Sequence, residues 1–174
     1  MSAIGSATPA SVVRDAAPPG SAVPFPSRWL GFAVTYVRVT LAAAFLSAVA
    51  SRFGLWTGEP WSGAFQRFVG YTAEVNSFLP TAAASFLAWS ATAAETVLGV
   101  ALLLGVQRRA VAFASAVLLA IFGGAMAISF GPKAPLDYSV FTASAAALLL
   151  AVQEGGERAW AARRRPGRPA GGRK

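Results

Sequence analysis

The chain has 174 residues, enough for one domain, and 55% of them are hydrophobic against 13% charged, a ratio unsuited to a soluble domain that must scatter charge over its outward faces. Cysteine and histidine are absent, which excludes a disulfide framework, a thiol redox pair, cysteine-ligated iron–sulfur clusters and histidine-ligated haem, and leaves no ordinary zinc ligand set. The net charge is +8, but seven of the fifteen basic residues lie between Arg158 and Lys174, so the basicity belongs to a tail that reads as a topology signal touching anionic lipid, not as a nucleic-acid site.

Residues 1–28 are rich in Ala, Ser, Pro and Gly, with "APPG" and "VPFP" as breakers; this composition predicts a disordered lead. No basic n-region is followed at once by an apolar core, so the segment does not read as a cleaved signal peptide. "WLGFAVTYVRVTLAAAFLSAVA", Trp29–Ala50, is long enough to cross about 30 Å of hydrocarbon and is interrupted by Arg38 alone. Arg28 and Trp29 at one rim, and Arg52, Phe53 and Trp56 at the other, are interfacial anchors.

Gly54–Pro80 is too polar to span. Trp61, Phe65, Phe68, Thr72, Val75 and Leu79 recur at three- and four-residue spacing, which predicts an amphipathic helix lying at the membrane surface or folded back on the other helices. Pro80 fits the first turn of the next helix. The second span is 81–106, with Glu95 at its middle; "QRR" is a tight connection; the third span is 110–130. "GPKAPLD" separates it from a short fourth span at 136–153, and 154–174 forms a basic tail.

With the N-terminus placed in the cytoplasm, the inner segments hold Arg14, Arg28, Arg108, Arg109 and the seven tail residues, and the outer segments hold Arg52, Arg67 and Lys133. The bias places both termini inside. The predicted architecture is all-α and integral to the membrane: a four-span antiparallel bundle at 29–153, with an amphipathic external segment between the first two spans. Small residues in "GGAMA" and "ASAAA" allow close helix approach.

Three groups of residues carry chemical potential. Arg38 lies about 15 Å from the rim at Arg28, and Glu95 about 20 Å from Arg108, at 1.5 Å per residue. An isolated charge at such depth is costly, so the two are expected to form a buried ion pair. The pair either fixes helix register or lets Glu95 exchange a proton or hold a polar head group. An outer-rim polar cluster, Arg52, Tyr71, Asn76, Lys133, Asp137, Tyr138 and Ser139, is either an interfacial turn or the mouth of a small-molecule site. Trp56, Trp61, Phe65 and Phe68 form an aromatic belt or a slot for a quinone ring. No metal site, nucleotide loop or catalytic triad is apparent.

Taken in order, "VRVTLAAAFLSAVASRFGLW", "FVGYTAEVNSFLP", "AETVLGVALLLGVQRRAVA" and "KAPLDYSVF" resemble the DoxX family of small membrane proteins, over about residues 30–152. The resemblance implies a four-span protein of the bacterial inner membrane. It further implies an accessory or anchor subunit, non-catalytic by itself, of a quinone-linked system acting in thiosulfate, thiol or oxidative-stress chemistry. Quinone is the candidate cofactor, and none is expected to be covalently bound. Membrane lipid, an oxidoreductase or sulfurtransferase, and a second copy of the chain are the candidate partners. Arg38, Arg52 and Glu95 match polar positions of the family. A small oligomeric transporter and a scaffold for a soluble partner are the alternative readings.

Overall fold

The computed structural model describes residues 27–163, with side chains described from Arg28 to Glu154. Among these residues six α-helices follow in order: α1 (Ser27–Arg52), α2 (Trp61–Val75), α3 (Ala84–Leu104), α4 (Arg108–Phe130), α5 (Lys133–Asp137) and α6 (Val140–Arg163). There is no strand among the described residues. Arg28–Arg52, Thr81–Leu104 and Arg108–Phe130 are each long and apolar enough to cross a membrane; the apolar stretch Val140–Glu154 of α6 is shorter.

Chain chemistry explains the breaks. Gly105 closes α3 in the left-handed conformation at φ 65°, where a side chain would be strained. Val106 N–H returns to the Ala101 carbonyl, and α4 starts at Arg108 after a three-residue turn. Gly54 follows α1 at φ 75°, where a Cβ would collide with the Glu59 carbonyl oxygen. Pro80 lacks the N–H that an interior helical position would use and precedes a 3-10 turn, Thr81–Ala83, that leads into α3.

The last helix departs from expectation at both ends. The anticipated start at 136 falls in the short α5, and the chain passes Ser139 at φ 55° before α6 begins at Val140. The helix also continues to Arg163, ten residues past the expected end at 153. The sequence after Gln153 turns polar but contains no proline before position 166. Polarity ends an apolar run; it does not end a helix.

The four long helices contact one another in a cycle: α1 on α3, α3 on α4, α4 on α6 and α6 on α1. Leu46 packs on Gly99, whereas Arg52, further along α1, meets Glu95 and Thr92, further back on α3; α1 and α3 are therefore antiparallel. Ser144 Oγ donates to the Ala116 carbonyl at 2.8 Å and Phe141 packs on Gly123, giving α4 and α6 the same relation. A core of Leu41, Ala42, Phe45, Leu102, Ala112, Ala116, Ala147, Leu150 and Ala151 fills the half nearer the α3–α4 turn. At the other end, α2 folds back on α1, α3 and α4. It buries Ala64, Phe65, Thr72 and Val75, while Trp61 and Leu79 of the expected apolar face stand exposed.

Candidate functional site

Glu95 is paired with Arg52, and the expected pair with Arg38 does not form. Arg52 Nη2 donates to Glu95 Oε1 at 2.7 Å, and Nη1 donates to Thr92 Oγ1 at 3.1 Å. Thr92 gives its own proton to the Ala88 carbonyl one turn back, at 2.8 Å, which leaves its oxygen free to accept. The guanidinium lies 3.8 Å from the centre of the Phe68 ring, a cation–π contact that strengthens on desolvation. The side chains of Arg52 and Glu95 are 9% and 3% exposed. A charge-assisted bond of this length in a buried setting is strong and directional.

Helix register explains the correction. Counting depth from Arg28 sets that residue level with Arg108, but Arg38 holds that level. Its Nη1 sits beside Gly105 in the α3–α4 turn, and Arg38 and Arg108 both approach the Glu154 carboxylate, at 3.8 and 3.9 Å. The displacement of ten residues amounts to about 15 Å of helix. Glu154, assigned by sequence to the tail, is 7% exposed. Two charged groups therefore mark two levels of α1: Arg52–Glu95–Thr92 at its end beneath α2, and Arg38–Glu154–Arg108 near its middle, at the α3–α4 turn.

A cavity of about 540 Å³ lies between the apolar core and α2. Its walls are apolar: Leu41, Ala44, Phe45 and Ala48 of α1, Leu87, Ala91 and Ala94 of α3, and Leu118, Phe122 and Met126 of α4. Polar side chains enter at Arg52, Glu95, Tyr71, Thr72, Asn76 and Ser90. The lining residues Ser90 on α3, Ile121 on α4 and Tyr71 on α2 are exposed and mark where the cavity reaches the surface. Glu95 is among the lining residues, and its Oε2 is buried with no hydrogen-bond partner. Burial, followed by the nearby Tyr138 and Glu74, holds the Tyr71 phenol above its ordinary pKa, so it remains a neutral hydroxyl.

The outer-rim cluster divides. Arg52, Tyr71 and Asn76 converge on the cavity. Lys133 and Asp137 instead pair with each other across one turn of α5, both exposed, while Tyr138 and Ser139 are exposed beside them. Of the aromatic group, Phe68 alone lines the cavity. Phe65 is buried against Trp89, with ring centres 4.3 Å apart. Trp56 is exposed and donates from Nε1 to the Ser47 carbonyl at 3.2 Å, and Trp61 is also exposed. Sequence reasoning missed Thr92, Glu154 and the α4 wall. Thr92 sits one turn before Glu95, and that spacing was the available signal; Glu154 carried none, because its burial depends on α1 and α4.

Nothing in the cavity resembles a metal site, and among the described residues no group of acidic side chains could hold an ion. Its chemistry suits a molecule with an apolar body and a polar head, as ligand pockets with a few convergent polar groups generally do. The DoxX family model matches residues 33–131, a stretch that runs from α1 through α4 and contains Arg52, Thr92, Glu95 and most of the cavity wall. The chain belongs to the DoxX family. No curated protein and no solved structure matches it.

Proposed function

We propose that this DoxX-family chain is a membrane subunit that holds a lipid-soluble ligand of the quinone class in the cavity beneath α2, and that it serves a quinone-linked redox system as an accessory or anchor component. The observation that carries this reading is the buried, unpartnered Glu95 Oε2 on a residue lining an apolar cavity of about 540 Å³. A volume in the range of about 300–1,000 Å³ suits a small organic ligand. The residues fit a ring with oxygen substituents: apolar α1, α3 and α4 walls for the body, Phe68 beside it, and Arg52, Glu95 and Asn76 for the oxygens.

Such a ligand supplies two-electron redox chemistry when bound. The chain's own residues bind and orient it. Arg52 holds the Glu95 carboxylate in one position, and Thr92 and Phe68 hold Arg52. Ser90 and Ile121, on two helices able to cross a membrane, place an entrance on a lipid-facing side in this reading, so the ligand reaches the site from the bilayer. The reading also includes a bacterial inner-membrane location, four crossings with α6 as the last, and both termini in the cytoplasm. The apolar core at the α3–α4 end supports a dead-end site rather than a permeation path.

The test is solvent extraction of the purified protein. Quinone should be recovered with wild-type protein at a stoichiometry above that of bulk lipid carry-over. Arg52→Ala, verified as folded by circular dichroism, should lower it severalfold. Equal quinone in wild-type protein and in an unrelated membrane protein of similar size would remove the reading.

A further inference from the structure

Several polar groups at the inner end of the cavity are already engaged within the protein. Thr92 and Thr72 give their hydroxyl protons to backbone carbonyls, of Ala88 at 2.8 Å and Phe68 at 2.7 Å. Asn76 directs one amide N–H to the Thr72 carbonyl at 2.9 Å, which leaves its second N–H and the amide oxygen. Arg52 gives one N–H of Nη1 to Thr92 and one N–H of Nη2 to Glu95 and lays its face on Phe68, so part of its donor set stays open to a ligand acceptor. The hydroxyls without such partners, Ser90 and Tyr71, are exposed at the surface edge of the cavity. Glu95 differs from these groups: Oε1 is satisfied by Arg52, whereas Oε2 is buried and accepts from nothing. A buried carboxylate oxygen without a donor is an expensive arrangement unless a ligand supplies one.

We infer that Glu95 Oε2 selects a ligand whose polar head donates a hydrogen bond, so that the cavity prefers the reduced, hydroxyl-bearing form of a quinone to its oxidised form. The inference rests on the proposed ligand class and adds the oxidation state that the site favours. Its physical basis is an asymmetry. A hydroxyl on the ligand satisfies Oε2, whereas a carbonyl placed there sets one acceptor against another and leaves both unpaired. Glutamine at position 95 would alter the complement without altering the shape. Its carbonyl could take the Arg52 bond, and its amide N–H₂ would stand where Oε2 stands, so a ligand acceptor would then be preferred.

The experiment uses the full-length protein in nanodiscs and three probes of one alkyl chain length: a hydroquinone kept reduced under argon, its dimethyl ether and the matching quinone. The dimethyl ether retains the oxygens and lacks the donors, which separates hydrogen bonding from redox state. Dissociation constants from calorimetric titration should be about tenfold lower for the hydroquinone than for either other probe, as expected for a hydrogen bond to a charged group. Glu95→Gln should reverse the order of hydroquinone and quinone. Equal affinity for hydroquinone and dimethyl ether, or tighter quinone binding by wild-type protein, would overturn the donor preference and leave the cavity as a ligand site. Failure of all three probes to bind would remove the proposed site and this inference with it. The wild-type comparison decides the matter even if Glu95→Gln does not fold.

Discussion

Glu95 is stable within an apolar helix because three neighbours each supply a different term. Arg52 provides the opposite charge at 2.7 Å, Thr92 occupies a second guanidinium nitrogen, and Phe68 covers its face. Removing one member of a buried pair leaves an uncompensated charge, so Arg52→Ala should destabilise the protein by about 3–5 kcal/mol. Arg52→Ala combined with Glu95→Ala should restore part of that loss. A double-mutant cycle, read from reversible unfolding in detergent, should give coupling of about 0.5–3 kcal/mol for Arg52 with Glu95. The same cycle for Arg38 with Glu95 should give coupling near zero, because Arg38 sits with Glu154 at the α3–α4 turn; substantial Arg38–Glu95 coupling would contradict this register. The sequence made it legible that Glu95 needs a partner, since a lone carboxylate in an apolar run is costly. It did not make legible which arginine answers. That depends on how far α1 projects past the α3–α4 turn, and Trp29–Val37 is as apolar as the helix that follows.

At the scale of elements, helix contacts depend on particular small residues, and three glycines provide graded tests. A Cβ on Gly99 would lie 2.9 Å from Leu46 Cγ and 3.4 Å from Phe45 Cβ, atoms close to the α1 backbone that cannot swing away. Gly99→Ala should therefore push α1 from α3 and cost about 1–3 kcal/mol. A Cβ on Gly123 would lie 2.7 Å from the edge of the Phe141 ring. That ring is 40% exposed and can turn outward, so Gly123→Ala should cost less, and Phe141→Leu should relieve it. A Cβ on Gly124 would meet no atom within 4 Å, and alanine there should be neutral or stabilising by up to about 1 kcal/mol through helix propensity. Unfolding midpoints of the three variants should rank in that order; a Gly124 variant as unstable as the Gly99 variant would show that packing is not the cause. Long apolar runs and the Gly105 stop made α1, α3 and α4 legible. Their pairing was not, because a small residue signals a permitted approach without naming the partner. The three-and-four spacing in α2 predicted a helix, but the buried set moved from Trp61 and Leu79 to Ala64, since a helix folded back on others is bounded by their shape as well as by its own periodicity.

At the scale of the molecule, the two charged groups and the cavity define a polarity of function that topology must respect. The Arg52–Glu95 end carries α2 and the cavity, and the Arg38–Glu154 end carries the α3–α4 turn and the apolar core. Arginine and lysine counts favour the second end as cytoplasmic, with eleven basic residues assigned to that side and three to the other. With α6 as a fourth crossing, Gly58 and Lys133 should face outward while Gln107 and Gly171 face inward. The chain contains no cysteine, so single cysteines at these positions give an uncluttered readout without prior removal of native thiols. In intact cells, a membrane-impermeant maleimide should label the cysteines of Gly58→Cys and Lys133→Cys. Gln107→Cys and Gly171→Cys should react only after permeabilisation. Labelling of Gly171→Cys from outside, together with protection of Gln107→Cys, would mean that α6 does not complete a fourth crossing. The site beneath α2 would then still face outward, but the tail's basic residues would no longer act as the inward signal. Reversal of all four positions would instead keep four crossings and turn the cavity towards the cytoplasm, where a ligand would exchange with the inner leaflet.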